Sequence, residues 1–171
     1  MHLKSITQIS ITSVIISICA WLTVPAAIPF TMQTFGVFFA LFFLGGKKGT
    51  ASITIYLLLG ALGLPVFSGF SGGFGHLLGA TGGYMLGFLL TGLIYMLFER
   101  IFGKSLKISV LSLILGLFIC YAFGTVWFSI YKDNMGFLPA FWICVAPFII
   151  PDLLKLTLAV IVAKKIKKAS V

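Results

Sequence analysis

Six apolar runs follow one another along the chain, separated by short polar or glycine-rich stretches. They predict helices at about 6–24, 31–45, 50–63, 81–98, 108–131 and 137–164. A helix needs about 20 apolar residues to cross a membrane, so the short second and third helices are expected to tilt or to thin the bilayer locally. We therefore predict an all-α integral membrane protein, one domain over residues 1–171 with six transmembrane helices.

The stretch 65–80, between the third and fourth runs, does not have the pattern of a regular helix. It carries five glycines and no formal charge, a composition that interrupts helices. We expect an ordered loop that covers the outer end of the bundle. Glycines recur every four residues at Gly75, Gly79, Gly83 and Gly87, and this spacing predicts a close approach between helices.

Composition and charge support a membrane protein. Of the 171 residues, 60% are hydrophobic and only 9% are charged, whereas a soluble domain has about 25% charged residues. The formal net charge of +9 does not indicate nucleic-acid binding, because the basic residues lie between apolar runs. If both termini share one side of the membrane, ten of the twelve Lys and Arg lie there and only Lys132 lies opposite. This asymmetry predicts cytoplasmic termini.

Several other classes of protein are not indicated. Residues 45–50 lack the spacing of a phosphate-binding P-loop, and the chain has no HExxH motif. We expect no enzymatic activity, cofactor or metal, so a partner or an ion gradient must energise any transport. Residues 24–27 offer a possible signal-peptide cleavage site. We expect the first helix to remain, because the six-helix topology requires it.

Asp152 and Lys155 are ionisable residues inside the last apolar run. They lie roughly 18 and 13 Å along the helix from the basic cluster that begins at Lys164, which places them near mid-membrane. Their i, i+3 spacing puts them on one helical face. Ionisable groups at this depth usually face a cavity and bind or relay a polar species. A salt bridge that only locks the helix is the alternative, but such a pair stabilises little relative to apolar residues.

Other residues are candidates for the same site or for a partner surface. Gln33 is long enough to reach a pocket, and the Gly72–Gly73 backbone allows a ligand to approach closely. Aromatic residues are suited to wall an apolar pocket, and they are Phe67, Phe70, Phe74 and Tyr84. Ser13 and Ser17 form a small-xxx-small face on the first helix, which packs within the bundle or against another membrane protein.

Four segments stand out, namely PFTMQT at 29–34, YLLLGALGLPVF at 56–67, GGFG at 72–75 and TGGYMLGF at 81–88. They resemble segments of the BioY family, the biotin-specific substrate-binding (S) subunits of energy-coupling factor (ECF) transporters. The Asp-x-x-Lys at 152–155 is similar to the family's motif on its last helix.

The resemblance implies a six-helix S component in a prokaryotic plasma membrane, with lipid around it and a biotin pocket near the outer face. It also implies a transmembrane coupling subunit and two ABC ATPases as partners. Ser13 and Ser17 stand where alanines of the family meet the coupling subunit.

We hypothesise that Asp152 accepts the ureido N–H groups of biotin, while Lys155 donates to the ureido carbonyl or to the carboxylate. Tyr84, Gln33 and the Gly72–Gly73 backbone would complete the polar shell, and the three phenylalanines at 67, 70 and 74 the apolar wall. The alternatives are an S component for another vitamin, or an ion- or proton-coupled carrier that uses Asp152 as a relay.

Overall fold

The computed structural model describes residues 3–25, 29–133 and 135–169, and these form eight α-helices and one small β-ribbon. The helices are α1 (Leu3–Trp21), α2 (Gln33–Leu44), α3 (Gly46–Ala61), α4 (Phe74–Leu77), α5 (Gly82–Phe102), α6 (Leu106–Tyr131), α7 (Phe137–Cys144) and α8 (Ile149–Ala169). The strands β1 (Thr23–Val24) and β2 (Phe30–Thr31) pair antiparallel between α1 and α2. The all-α prediction is confirmed, although the sequence pattern does not predict the ribbon. The cleavage site considered at 24–27 lies partly outside the described residues.

Within the described residues, four helical segments are long and apolar enough to cross a membrane, and α2 is a shorter apolar helix. The four are α1, α5, α6 and the segment 137–169 that contains α7 and α8. All residues of α2 from Val37 to Phe42 are buried by neighbouring helices, chiefly α8, α3 and α1. A helix that is apolar on every side belongs in the core. Because protein surrounds α2, its 12 residues do not have to match the thickness of a bilayer.

Helices α5 and α6 are held close together by glycines on α5. A methyl group at Gly87 would lie 2.7 Å from the Sγ atom of Cys120, and one at Gly83 would overlap the side chain of Trp127. The predicted close approach of helices is therefore confirmed at these two glycines. Gly75 has open space where a side chain would stand, so that glycine takes no part in the contact.

The chain from residue 62 to residue 81 forms an ordered loop that contains α4 and a single 3₁₀ turn. Two tryptophans attach it to the bundle. The Nε1 atom of Trp21 donates to the Pro65 carbonyl oxygen at 2.8 Å, and that of Trp127 donates to the Gly79 carbonyl oxygen at 2.9 Å. These bonds fix both ends of the loop against α1 and α6.

The start of α1, the α2–α3 junction, the end of α5, the start of α6 and the end of α8 meet at one end of the bundle. Glu99 of α5 accepts a hydrogen bond from the Gly46 N–H at the start of α3, with an O–N distance of 2.6 Å. Lys48 of α3 donates to the Oε1 atom of Gln8 on α1 at 3.1 Å. We call this the basic end, defined by its lysines at 4, 48, 104, 164 and 167.

Candidate substrate-binding site

Asp152 and Lys155 lie at the start of α8, directly after a break in the last apolar run. The chain leaves α7, makes a 3₁₀ turn at Ala146–Phe148 and enters α8 at Ile149. Pro147 lies in the turn and Pro151 in the first turn of α8, where a missing N–H leaves no helical hydrogen bond unmade. Asp152 is therefore in the first turn of a helix, where the peptide dipoles favour a negative charge.

The carboxylate of Asp152 joins three helices. Its Oδ1 atom accepts hydrogen bonds from the Thr34 hydroxyl of α2 at 2.8 Å and from the Lys155 ammonium at 2.8 Å. Its Oδ2 atom accepts from the Tyr121 hydroxyl of α6 at 2.7 Å. The side chain is only 3% exposed. A carboxylate has about four acceptor sites, so one remains for a ligand donor.

The ammonium of Lys155 is equally well surrounded. Besides its contact with Asp152, it donates to the backbone carbonyl oxygen of Thr31 at 2.7 Å. It also stands 4.1 Å from the centroid of the Phe30 ring, where the face of the ring attracts a cation. The side chain is 7% exposed. The β-ribbon that supplies Phe30 and Thr31 is therefore part of the site.

Gln33 and Tyr56 form a second polar group, between α2 and α3. The Nε2 atom of Gln33 donates to the Tyr56 hydroxyl at 2.6 Å, and both side chains are buried. Among the described residues, the Oε1 atom of Gln33 accepts no hydrogen bond. A buried amide oxygen gains stability when it finds a donor, so this atom is suited to accept an N–H group of a ligand.

Tyr84 lies opposite, on the first turn of α5. Its hydroxyl is 3.3 Å from the Oγ1 atom of Thr125, while the Thr125 hydroxyl donates to the Tyr121 carbonyl oxygen at 2.7 Å. A hydroxyl has one proton to donate, so Tyr84 must be the donor in its contact with Thr125. The lone pairs of the Tyr84 oxygen then remain as acceptors.

These polar groups surround a cavity of about 70 Å³. Of the predicted residues, the structure brings Asp152, Lys155, Gln33 and Tyr84 together in its wall. The remaining lining residues are Pro29, Thr31, Thr34, Ser68, Thr81, Met85, Phe88, Cys120, Tyr121, Cys144 and Phe148. The wall is therefore largely apolar, with its ion pair on α8.

The predicted loop aromatics lie outside this lining. Phe67 is fully buried, with its ring edge-on to Tyr56 at 5.5 Å between centroids. It fits there because Gly60 leaves room where any side chain would overlap the ring. Phe70 stacks on Trp21 with 5.0 Å between centroids and is 64% exposed. Phe74 is 63% exposed.

The predicted backbone contact at Gly72 and Gly73 also lies outside the cavity lining. The N–H group of Gly73 donates to the Gly60 carbonyl oxygen at 2.7 Å, so it is already used within the protein. A side chain at Gly72 would overlap the Leu64 carbonyl, so this glycine is needed for the turn of the loop. From this segment, Ser68 lines the cavity.

Ser13 and Ser17, the predicted partner surface, lie inside the bundle. They are 2% and 4% exposed. The Ser13 hydroxyl is placed to donate to the Ser52 carbonyl oxygen of α3, 2.9 Å away. The structure thus shows the first of the two roles left open for this face, which is packing within the bundle.

Thr34 and Tyr121 donate hydrogen bonds to the Asp152 carboxylate, and the sequence did not predict this role for either residue. The signal for Tyr121 was its position four residues before Thr125 in the apolar middle of α6, because two hydroxyls at i, i+4 share a face. Thr34 stands beside Gln33 at the start of α2, where a capping role is the ordinary expectation.

A bundle of apolar helices with a buried ion pair in the wall of a cavity defines a membrane protein that binds a small solute with polar and apolar parts. Comparison with known proteins gives the family. The model of the BioY family matches residues 1–170, and the chain belongs to this family.

Relatives of known sequence and structure agree. The probable biotin transporter BioY of Pyrococcus horikoshii is 39% identical over 168 residues, which is 98% of each chain. The biotin transporter BioY of Thermotoga maritima is 36% identical over 177 residues, 99% of each chain. A crystal structure of the S component for biotin from an ECF-type ABC transporter matches with a TM-score of 0.86 and 27% identity, over 97% of this chain and 92% of that one. The fold is that of an ECF S component.

Proposed function

We propose that this chain is the membrane subunit that captures biotin for an ECF-type ABC transporter. The observation that carries the proposal is the Asp152–Lys155 pair, which faces a largely apolar cavity and is buried on every other side. Biotin has two ureido N–H donors, a ureido carbonyl, an apolar sulfur-containing ring and a carboxylate. The cavity has a matching group for each of these: acceptors for the N–H groups, one cation for the carbonyl or the carboxylate, and apolar walls for the ring.

The ureido group is assigned to Asp152. The carboxylate keeps its bonds to Thr34, Tyr121 and Lys155 and offers its remaining acceptor site to one ureido N–H. The Gln33 carbonyl oxygen is available for a second N–H. Hydrogen bonds to a charged group contribute about 1.5–3 kcal/mol each, so the carboxylate supplies the strongest single contact.

Lys155 and Tyr84 complete the polar shell. The ammonium has three N–H groups, of which two bond to Asp152 and Thr31, so the third is free to meet the ureido carbonyl or the ligand carboxylate. The sulfur-containing ring fits against apolar residues of the wall. These are Met85, Phe88 and Phe148.

The proposal includes six membrane crossings, cytoplasmic termini and a prokaryotic plasma membrane. Supporting it, most of the basic residues lie at or near the basic end, and Lys132 follows the opposite end of α6. We also assign a transmembrane coupling subunit and two ABC ATPases as partners that supply energy, because the chain has no nucleotide-binding motif. This chain itself then catalyses no reaction.

Equilibrium binding to the detergent-purified chain tests the proposal. We expect tight binding of biotin and none of riboflavin or thiamine. If another vitamin binds selectively instead, that vitamin is the substrate. If the folded protein binds none of them, the proposal fails and an ion-coupled carrier becomes the favoured function. That carrier is disfavoured at present, because Asp152 is held by Lys155 and two hydroxyls, whereas a relay needs a carboxyl that exchanges its proton freely.

Biotin methyl ester shows which end of the ligand Lys155 contacts. If Lys155 contacts the ligand carboxylate, the original chain binds the ester less tightly than biotin. A Lys155→Met variant then binds the ester and biotin with equal affinity. If it meets the ureido carbonyl, the ratio of the two affinities is the same in both proteins. This comparison isolates the pairwise contact, because each protein serves as its own reference.

A further inference from the structure

Two cavities adjoin at the basic end, far along the helices from Asp152. They share Phe43, Leu44 and Lys167 in their walls and have volumes of about 350 and 400 Å³. Five lysines from three helices and one connecting segment line them, namely Lys4, Lys48, Lys104, Lys164 and Lys167. The proposed biotin site makes no use of either cavity.

The positive charge of these cavities is not balanced by the protein. Within their walls, Glu99 is the one acidic residue. Its carboxylate is already engaged, since it accepts from the Gly46 N–H and pairs with Lys104 at 3.2 Å. The remaining lysines have no carboxylate partner among the described residues. An anion placed here would meet several cations at short range, which favours binding.

Lys167 is fixed in the wall that the cavities share. Its ammonium donates to the Phe42 carbonyl oxygen at 2.9 Å and stands 5.2 Å from the centroid of the Phe42 ring. This bond uses one of its three N–H groups. A cation held in place loses less side-chain freedom when it binds an anion, so more of the attraction remains as affinity.

The surroundings of the cavities are apolar and exposed. Leu3, Ile101, Phe102 and Leu106 are 80%, 61%, 58% and 46% exposed. Each lies at the end of a candidate membrane-spanning helix. A soluble anion gains nothing from contact with such residues, whereas the acyl chains of a lipid pack against them. Basic pockets between membrane helices are a usual place for anionic lipid headgroups.

We propose that the paired cavities at the basic end bind an anionic phospholipid, with its phosphodiester between Lys167 and the neighbouring lysines and its acyl chains along the exposed apolar residues. The site is separate from the biotin cavity. A lipid held there links α1, α3, α6 and α8 at their polar ends.

Native mass spectrometry of the full chain in neutral detergent tests this assignment. The probes are phosphatidylglycerol, phosphatidylcholine with the same acyl chains, and soluble glycerol phosphate. The test variant is Lys104→Gln/Lys167→Gln. The control is Lys107→Gln/Lys165→Gln, which removes the same charge from two exposed lysines that line neither cavity. Thermal unfolding shows whether each variant is folded.

We expect phosphatidylglycerol to bind more tightly than the other two probes, and its affinity to fall about fivefold for each cavity lysine removed. The control variant should keep the original affinity. Equal binding of the two lipids would overturn the proposal, as would an equal loss in the control variant. Binding of glycerol phosphate as tight as that of the lipid would assign the cavities to a soluble phosphate ester instead. If the lysine variant loses copurifying transporter proteins but keeps its lipid, the cavities belong to a protein interface.

Discussion

Replacing Asp152 with asparagine removes the charge at the centre of the proposed site and leaves its shape nearly unchanged. The carboxylate accepts three hydrogen bonds, from Thr34, Lys155 and Tyr121. An asparagine has one oxygen to accept with and an NH₂ group that cannot accept. At least one of these donors therefore loses its partner, and the site for the ureido N–H is weakened.

The expected loss of biotin affinity follows from the hydrogen bond to a charged group. Such a bond contributes about 1.5–3 kcal/mol, which corresponds to an increase in Kd of about 10- to 150-fold. Stability falls as well, since breaking a buried ion pair costs about 3–5 kcal/mol. We expect the lower end of that range, because Lys155 keeps the Thr31 carbonyl and the Phe30 ring.

The assay is equilibrium binding of biotin to the purified variant, with thermal unfolding measured in parallel. Asp133→Asn is the matched control. Asp133 is exposed and has a φ of 51°, a conformation that asparagine adopts as readily as aspartate, so both affinity and unfolding should stay as they are. An unchanged Kd in a folded Asp152→Asn variant would refute the assignment of the ureido group to this carboxylate.

Three further predictions concern the same cavity and the helices around it. Adding Lys155→Met to Asp152→Asn should raise the unfolding temperature above that of the single Asp152 variant, because no unpaired buried charge remains; a further fall would contradict this. Thr34→Val should raise the Kd for biotin about two- to tenfold through loss of one neutral donor to the carboxylate, and an unchanged Kd would show that the hydroxyl does not position it. Gly83→Ala should destabilise the fold by about 1–3 kcal/mol through overpacking; Gly75→Ala, with open space around it, is the control, and equal unfolding curves would argue against close α5–α6 packing.

The buried charges of the site were predictable from the sequence, because ionisable side chains within an apolar run must face a cavity or a partner of opposite charge. Counting residues along a helix puts Asp152 and Lys155 on one helical face, and the structure has both on α8 in the wall of the cavity. Gln33 was predicted from its long side chain at the start of the second apolar run, and Tyr84 from its aromatic ring at the start of the fourth. In each case a regular helix converts sequence distance into spatial distance.

The loop aromatics were not predictable in the same way. A glycine-rich segment has no periodicity, so its sequence does not show which side chains turn inward. Phe67 turns into a space that Gly60 of α3 leaves for it, and Phe70 turns outward onto Trp21. Both outcomes depend on contacts with distant helices. The partnership of Tyr121 with Asp152 also depends on how α6 and α8 are placed, which no local pattern records.

A transport protein must exist with its substrate and without it, and the contacts of Asp152 and Lys155 bear on the second condition. The two charges neutralise each other, and the carboxylate also accepts from the hydroxyls of Thr34 and Tyr121. The chain itself therefore supplies the partners that keep either charge from standing isolated in the apolar interior. A ligand adds its hydrogen bonds to those already present, so only the added bonds contribute to its affinity.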